Sequence, residues 1–349
     1  MAQFHTLKIQ SIVRQTEKAV SITFDVPSSL KTMFNFKAGQ YITLKAVINE
    51  TEIRRDYSLS SSPKSGNLTV TIKEIEGGIF STHANNNLNS GDSLEVGVPN
   101  GRFVYGSQSE DAKSIVAFAA GSGITPIMSI ARTVLESGNN NVVLIYGNKS
   151  PEETIFYKEI LELQSTYLSR FKVQFVYSES NNDGALFGRI DVGNINYVLK
   201  NTIQLEPSQL FYLCGPEGMI KTTTAILSEK GIQDEQILFE LFTASNVVPA
   251  NKSVNKGESE ITMLVDDEET TLIMPQNQTI LEAALANDID APYSCQGGVC
   301  SSCICRVTEG SAKMRQNNIL TDNEVAEGLV LSCQAEPTSL LIKVDFDDI

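Results

Sequence analysis

Histidine is almost absent from this chain of 349 residues, which contains His5 and His83 and no others. Two histidines cannot build a multi-histidine metal site, and no Ser–His–Asp or Cys–His nucleophile pair is recognisable. A Walker sequence is also missing, so a P-loop is not expected. No apolar run approaches the roughly 20 residues of a membrane helix, and the N-terminus lacks the apolar core of a signal peptide. We therefore expect a cytoplasmic protein without a membrane partner.

Basic residues are scarce as well. The chain has 27 Lys and Arg against 42 Asp and Glu, a formal net charge of −15, so nucleic acid is not an expected partner. Residues 259–349 contain 16 acidic against 4 basic residues, a net charge of −12, and residues 1–258 carry the remaining −3. This step predicts a domain boundary near residue 258. A solvated surface and a docking face for a basic partner both fit the acidity, and composition does not decide between them.

The pattern of apolar residues divides the chain further. Residues 1–108 contain short β-type runs between Gly, Pro and Asn turns, which predicts a small β-barrel. Residues 109–245 alternate apolar strands with amphipathic helices, as in an α/β domain with a parallel sheet. Residues 246–258 are polar and aperiodic and predict a linker. Residues 259–349 return to short strands with one helix-like piece, TILEAALAND.

Four cysteines near the C-terminus form the strongest motif, with the spacing C-x4-C-x2-C followed after 29 residues by a fourth. They are Cys295, Cys300, Cys303 and Cys333. Three thiolates on one tight loop and a distant fourth match the plant-type [2Fe–2S] spacing. Zinc is the rival ligand, although it usually shows paired C-x2-C units. Disulfides are disfavoured in a reducing compartment, so the cluster is the preferred interpretation.

Two short motifs in the predicted barrel suit a flavin dinucleotide. In RDYS, Arg55 could pair with a pyrophosphate, the Tyr57 ring could stack on a flavin and the Ser58 hydroxyl could reach flavin N5. In GGIFST, Gly78 and Ser81 stand at a helix start, where glycines and hydroxyls can cradle phosphate. A surface hairpin would explain RDYS equally well when it is taken alone.

Two further motifs follow strands of the predicted α/β domain. GSGITP follows SIVAFAA, and its glycines would let a dinucleotide pyrophosphate approach the helix N-terminus. CGPEG follows LFYL. A strand-to-helix turn would need the same glycines without any ligand, and the cysteine could be a small buried residue. The candidate residues are Gly121, Gly123, Thr125, Cys214, Gly215 and Pro216.

The end of the strand VVLIYG indicates which nucleotide is used. Sites that prefer NAD often place an acidic residue there to bind the ribose diol. Here Lys149 stands instead, followed by Ser150, and a cation and a hydroxyl suit a 2′-phosphate. NADPH is therefore expected over NADH, and a solvated loop is the alternative.

Together and in this order, the motifs resemble the ferredoxin–NADP reductase family, extended by a C-terminal plant-type ferredoxin domain with SCQGGVCSSC and LSCQ as ligand segments. The resemblance covers essentially the whole chain and implies a β-barrel FAD-binding domain, an α/β nucleotide domain and an α+β, β-grasp ferredoxin domain. It implies that Arg55 and Ser81 hold the diphosphate and that Tyr57 and Ser58 hold the isoalloxazine. It also places Cys214 near the hydride path, Glu240 near flavin N5 and Phe242 over one ring face, although a plain amphipathic strand end would explain Glu240 and Phe242 as well.

This domain order resembles the reductase components of multicomponent oxygenases. The resemblance implies that electrons pass from NAD(P)H through FAD and a [2Fe–2S] cluster to an oxygenase component. A reductase for a desaturase, a P450 or another ring hydroxylase would carry the same motifs. A redox sensor is the alternative from another class, but no DNA-binding or receiver segment remains once three domains are assigned.

Overall fold

The computed structural model describes residues 4–106, 114–137, 140–242, 257–266 and 268–349. These residues form two compact units. The first comprises residues 4–53 and 57–242, and the second includes residues 257–349.

The first sheet of the first unit is the predicted barrel. Its strands are β1 (Phe4–Thr16), β2 (Ala19–Asp25), β3 (Tyr41–Ile48), β4 (Thr51–Ser58), β5 (Leu68–Lys73) and β6 (Ser93–Gly97). They lie in the order β4-β3-β6-β1-β2-β5. Leu59, directly after β4, forms an antiparallel bridge with Val70 of β5, and the Ser60 N–H donates to Thr69 O at 2.8 Å. The two edges of the sheet therefore meet and close the barrel.

Alternation along the barrel strands explains their packing. In the β2–β5 pair, Ile22 lies opposite Val70 and both are fully buried, whereas the neighbouring Thr23 and Thr69 hydroxyls bond each other at 2.9 Å. β-branched residues fit this half-buried pleated surface. One helix, α1 (Ile79–Asn86), follows β5.

The second sheet of the first unit is parallel, as predicted. Its strands are β7 (Ser114–Ala120), β8 (Asn141–Asn148), β9 (Phe171–Tyr177), β10 (Leu186–Phe187), β11 (Leu210–Gly215) and β12 (Ile237–Leu241), and its helices are α2 (Ile124–Ser137), α3 (Tyr157–Thr166), α4 (Val192–Asn201) and α5 (Glu217–Glu229). The strand order is β10-β9-β8-β7-β11-β12. The central strand β7 is buried almost throughout, which explains its continuous apolar sequence. The sequence did not predict α4, whose N-cap Asp191 accepts from Asn194 N–H at 3.0 Å.

The second unit is the predicted α+β domain. Its strands are β13 (Glu258–Val265), β14 (Glu268–Pro275), β15 (Ile304–Glu309), β16 (Ala312–Met314), β17 (Leu329–Leu331), β18 (Ala335–Pro337) and β19 (Leu341–Asp345), and its helices are α6 (Ile280–Ala286) and α7 (Asp322–Ala326). The order β14-β13-β19-β15-β17 forms a mixed sheet, beside a β16-β18 pair.

The predicted linker falls largely outside the described residues. Positions 246–256 are not described, and β13 already includes Glu258. Among the helices that the structure describes, none combines the length and the apolarity that are needed to cross a bilayer.

Candidate functional site

Three sequence-predicted residues meet in the first unit, although they come from two different sheets. The Ser58 hydroxyl donates to Glu240 Oε2 at 3.2 Å. Glu240 lies on β12 directly beside Cys214 on β11. Ser58 ends β4 and is 4% exposed. The ends of three strands therefore bring a hydroxyl, a carboxylate and a thiol together.

The thiol of this group is neutral. Cys214 is fully buried, and burial, reinforced by the negative charge of Glu240, raises the pKa of Cys214 well above its usual value. A neutral thiol is a poor nucleophile. The arrangement suits packing against a ligand and does not suit covalent catalysis.

Two glycine-containing turns lie against this group. A Cβ on Gly123 would come within 2.1 Å of Cys214 O, so only glycine permits this approach. A Cβ on Gly215 would meet Met219 Cε at 2.8 Å and Ala120 Cβ at 3.1 Å. The glycines therefore bring the carboxyl ends of β7 and β11 close together, at the edge where open α/β sheets bind ligands.

The first of these turns leads into a helix N-terminus without a side-chain cap. Gly121 has φ +54°, and the 3-10 turn Gly121–Gly123 has no side-chain cap and leads directly into α2. Thr125 is buried, and its hydroxyl donates inward to Ser122 O at 3.0 Å. The Tyr146 hydroxyl donates to Gly121 O, also at 3.0 Å. The backbone N–H groups at the start of α2 are the natural partners of a dinucleotide phosphate.

The second turn follows the same plan. Pro216 is the N-cap of α5 and supplies no side-chain cap bond. Proline there fixes the backbone without using a donor. Gly215 and Pro216 therefore form a rigid turn between β11 and α5, next to the buried Cys214.

The flavin motif presents one open cation and one aromatic ring. Arg55 is exposed on β4, where it donates to Arg54 O at 2.7 Å. The ring of Tyr57 is partly buried and lies 5.6 Å from the Phe80 ring, tilted by 39°. An exposed guanidinium and a partly open ring fit a diphosphate and a flat heterocycle.

Ser81 lies in the first turn of α1. Its hydroxyl donates to Gly78 O at 3.1 Å and accepts from Ile75 N–H at 3.2 Å, and the residue is buried. The hydroxyl therefore holds its own turn, and its single proton is already engaged. Gly78 is the N-cap of α1 without a side-chain cap bond, so the backbone N–H groups of α1 are the groups available to a diphosphate.

Lys149 has a partner that the sequence did not reveal. It follows β8, and its Nζ lies 3.3 Å from Glu179 Oε1, which follows β9. The Glu179 N–H also donates to Lys149 O at 2.9 Å. Glu179 is 30 residues further along the chain, and only the parallel pairing of β8 with β9 brings it here.

Phe242 is partly buried against the core of the parallel sheet.

The four cysteines approach one another in two pairs. Cys303 Sγ lies 3.3 Å from Cys333 Sγ, and a hydrogen bond from the Cys300 thiol lowers the pKa of Cys295, helped by the Gly297 N–H. The hydrogen bond from Cys303 likewise lowers the pKa of Cys333. One thiol of each pair is thus poised to ionise, as metal ligation requires.

This pairing suits a two-iron cluster, in which each iron takes two thiolates. Gly298, with φ +70°, lets the loop pass Gln334 and Gln316 closely. The donor set therefore fits a [2Fe–2S] cluster. Cys305 is fully buried in β15, and burial raises its pKa.

The fold and the site define a flavin- and nicotinamide-dependent reductase that carries its own ferredoxin domain. Three family models match in that order. The "Oxidoreductase FAD-binding domain" matches residues 6–105, the "Oxidoreductase NAD-binding domain" residues 118–225 and the "2Fe-2S iron-sulfur cluster binding domain" residues 263–338.

Full-length relatives carry the same architecture. The chain is 36% identical to a subunit of 1,2-phenylacetyl-CoA epoxidase of Escherichia coli (strain K12), with 99% of each chain covered. It is 31% identical to the ferredoxin reductase component of 3-ketosteroid-9-alpha-monooxygenase from Rhodococcus rhodochrous, over 97% of this chain and 96% of the relative. The structure of phthalate dioxygenase reductase matches with a TM-score of 0.64 and 25% identity over 98% of both chains.

The chain belongs to the family of reductase components of multicomponent oxygenases. It is an NAD(P)H-dependent flavin and iron–sulfur oxidoreductase that passes electrons to an oxygenase component. The segments GNKSPEETIFYKEI, SCQGGVCSSCICRVTEG and KVDFDDI resemble the reductase subunit of phenylacetyl-CoA epoxidase, and the full-length identity confirms this resemblance.

Proposed function

We propose that this chain takes electrons from NADPH and delivers them singly to a phenylacetyl-CoA epoxidase, and that Ser58, Glu240 and Cys214 mark the point of hydride transfer. The observation that carries the proposal is the Ser58–Glu240 hydrogen bond at 3.2 Å beside the two glycine turns. When bound, FAD accepts an electron pair from NAD(P)H and gives it up singly to the iron–sulfur cluster.

The barrel residues of this proposal bind and orient the flavin. The Arg55 guanidinium pairs with the diphosphate together with the N–H groups that begin α1, and Gly78 keeps that helix start open. The Tyr57 ring stacks on the flat heterocycle. Ser81 supports the turn from inside through its bonds to Gly78 and Ile75.

The Ser58 hydroxyl controls one proton at the reacting edge of the flavin. A hydroxyl has one proton to donate and two lone pairs to accept with. It can donate either to Glu240 or to the flavin nitrogen, and the protonation of Glu240 selects between them. Glu240 thus orients the hydroxyl and would be the nearest group able to hold a proton beside it.

The parallel-sheet residues of this proposal position the nicotinamide. The turns at Gly121, Gly123 and Gly215 bind the phosphates and the ring edge, Thr125 fixes the first turn and Pro216 the second. Cys214 places a small, uncharged side chain beside the nicotinamide ring. The acceleration then comes from orientation and close approach rather than from acid–base groups on this side.

NADPH is proposed because Lys149 and Ser150 stand where the 2′-phosphate would lie. Lys149 Nζ is paired with Glu179, but both side chains are more than half exposed. Such exposed pairs contribute little. A phosphate carries more negative charge than a carboxylate, and it can displace Glu179 from Lys149.

Phenylacetyl-CoA epoxidase is proposed as the acceptor because the 36% identity to a component of that enzyme extends over 99% of the chain. Cytoplasmic location is proposed because four ligand thiols must stay reduced until the cluster forms. The proposed domains are residues 1–108, 109–245 and 259–349, with residues 246–258 as the linker.

Reconstitution tests this function. The purified chain, with about one FAD and two irons per polypeptide, should reduce ferricyanide continuously with NADPH. It should support epoxidation when the phenylacetyl-CoA oxygenase subunits are added, and it should do so poorly with the oxygenase of a 3-ketosteroid monooxygenase. Equal coupling to both oxygenases contradicts the proposed acceptor, and a single turnover without sustained ferricyanide reduction indicates a redox sensor.

A further inference from the structure

One face of helix α2 makes hydrogen bonds to the segment where the two edges of the barrel sheet meet. The Ser129 hydroxyl donates to Ser61 O at 2.6 Å, and Arg132 Nη1 donates to Ser60 O at 2.9 Å. One turn further along, Glu136 Oε2 accepts from the Ser62 hydroxyl at 2.5 Å. Positions 129, 132 and 136 recur at helical spacing and lie on one face of α2. We call residues 60–62 the seam segment.

The seam segment and α2 each lie next in the chain to a part of the proposed reaction site: Ser58 and the Gly121–Gly123 turn. The seam segment begins two residues after Ser58, and the Ser60 N–H bond to Thr69 O closes the barrel at this point. Helix α2 begins directly after the Gly121–Gly123 turn. A shift of α2 along the seam segment would therefore change the distance between the flavin hydroxyl donor and the nicotinamide turn.

Arg132 is the central group of this contact. Its second guanidinium nitrogen donates to Glu159 of α3, and the guanidinium carbon lies 5.7 Å from the centre of the Phe156 ring. The Arg132 side chain is 21% exposed. A planar guanidinium can bind a backbone carbonyl and a carboxylate at once in fixed directions, whereas a lysine ammonium fixes neither direction as firmly.

A groove of about 340 Å³ borders this contact, but it does not have the character of a ligand site. Its hydroxyls are engaged with one another or with the chain: Ser21 with Thr71 at 2.8 Å, Thr23 with Thr69 at 2.9 Å and Ser61 with Asn67 O at 2.7 Å. None of the buried side-chain atoms that lack a partner in the described residues lines the groove. A polar network satisfied in this way rigidifies the structure around it.

We propose that Arg132 is a positioning residue for hydride transfer, which it serves by fixing the seam segment, and with it Ser58, against the nicotinamide turn. The inference rests on the proposed role of Ser58 in the reaction. Arg132 contacts Ser60 O, Glu159 and Phe156 and is not among the residues proposed to bind the flavin or the nicotinamide. A loss of about 1 Å in such alignment can lower a rate by roughly 100-fold.

The test is single-turnover reduction of the bound FAD by saturating NADPH, followed at the flavin absorption and expressed per bound FAD. Arg132→Met should slow this step by roughly 10-fold to 100-fold, with the NADPH concentration for half saturation changed by less than about threefold. Arg132→Lys, which keeps the charge, should fall between Arg132→Met and the wild type. The kinetic isotope effect with NADPH deuterated at C4 should rise in Arg132→Met, because a poorly aligned hydride step limits the rate more fully.

Arg170→Met is the matched control. The Arg170 guanidinium donates to Leu135 O at 2.7 Å and so also holds α2, but from within the parallel-sheet domain. Its rate per bound FAD should stay within about twofold of the wild type. A wild-type rate in Arg132→Met, or an equal loss in Arg170→Met, overturns the inference.

If Arg132→Met does not fold, Arg132→Lys carries the test alone, because the ammonium keeps the charge but does not hold Ser60 O and Glu159 in fixed directions. This variant should slow flavin reduction by at least about threefold, and an unchanged rate overturns the inference. Failure of the proposed function would give a different result, because the FAD of the wild-type protein would then be reduced by neither NADPH nor NADH.

Discussion

The Ser58 hydroxyl and the Glu240 carboxylate are joined by a 3.2 Å hydrogen bond although 182 residues separate them in the chain. Ser58 is the last residue of barrel strand β4, and Glu240 is the penultimate residue of parallel strand β12. The hydrogen bond exists because both strands end at the same place in the first unit. This bond therefore links a barrel residue directly to a residue of the nucleotide sheet.

Ser58→Ala should slow flavin reduction by roughly 10-fold to 100-fold, because it removes the hydroxyl donor proposed for the flavin nitrogen. The FAD content should change little, since Arg55 and the α1 N-terminus remain. Stopped-flow reduction by saturating NADPH measures the rate. Ser90→Ala is the control, as it removes another barrel hydroxyl, one that donates to Gln10 O at 2.7 Å away from the site. Equal rates in the two variants would remove Ser58 from the mechanism.

Cys300→Ser should abolish the [2Fe–2S] signal and the coupling to the oxygenase while NADPH-dependent ferricyanide reduction through FAD continues. EPR after dithionite reduction and iron analysis measure the cluster. Cys305→Ala is the matched control, because Cys305 is buried in β15 and does not belong to the thiol pairs. Its iron content should match that of the wild type. Loss of ferricyanide reduction in Cys300→Ser would mean that the flavin and cluster domains depend on each other.

The sequence predicted the parts of this site that depend on local spacing. The C-x4-C-x2-C run and the glycines after β7 and β11 determine the chemistry of their own loops, so they could be recognised from the sequence alone. The pairing of Lys149 with Glu179 could not be predicted from the sequence, because it follows from the register of two parallel strands. The hydrogen bond from the Ser81 hydroxyl to Gly78 O could not be predicted either, because it depends on the path of the backbone through the turn.

The seam segment shows the same limit in another form. The hydroxyl-rich sequence SLSSSP at residues 58–63 was recognisable in the chain. Its structural role could not be predicted, because it depends on hydrogen bonds from α2 to Ser60 O and Ser61 O. Arg132 could not be singled out from the sequence, because an arginine in an amphipathic helix is ordinarily a solvated residue.

Lys149→Glu should lower kcat/KM for NADPH by roughly 10-fold or more while changing that for NADH much less, because the cation proposed for the 2′-phosphate is lost. Glu179→Gln tests the same pair from the other side. It removes the competing carboxylate from Lys149 and should raise the preference for NADPH. Steady-state kinetics with both nucleotides measures each ratio. Parallel changes for NADPH and NADH in both variants would show that the pair lies outside the site.

Cys214 should remain a neutral thiol well above pH 8.5, because burial raises the pKa of Cys214 in the folded chain. Alkylation by iodoacetamide at pH 8.5 should be at least about 10-fold slower at Cys214 in the native protein than in the unfolded chain, as mass spectrometry of the peptides can measure. The raised pKa favours folding below the unfolded value near 8.5, and this stabilisation is lost as pH rises further. Rapid native alkylation of Cys214 would contradict the buried position.

The acidic charge of the ferredoxin domain should steer it to a basic surface on the oxygenase. Electron delivery should then fall as ionic strength rises, mainly through the association rate, because steering is screened over about 8 Å at 0.15 M salt. Transfer from FAD to the cluster within one chain should respond little and serves as the internal control.

The choice of acidic residues for this test depends on the N-terminus of α7. Asp322, Glu324 and Glu327 precede the fourth ligand, Cys333, but Glu324 is a capping residue, since its Oε2 accepts from Thr321 N–H at 2.9 Å. Reversing its charge would break the cap and confuse docking with folding. Glu324→Gln keeps the capping geometry and removes only the charge.

Asp322→Lys combined with Glu327→Lys should therefore reduce oxygenase coupling several-fold at low salt, with ferricyanide reduction unchanged. Both side chains are exposed, so the substitutions alter the surface field more than the fold. The matched control reverses Asp183 and Glu229, two exposed acids of the first unit, and changes the net charge equally. Coupling that is lost in both double variants would reflect net charge rather than a dock. Coupling that is insensitive to salt and to the α7 reversals would mean that the acidity only solvates this domain, and that the oxygenase is held by apolar contacts around the cluster loop.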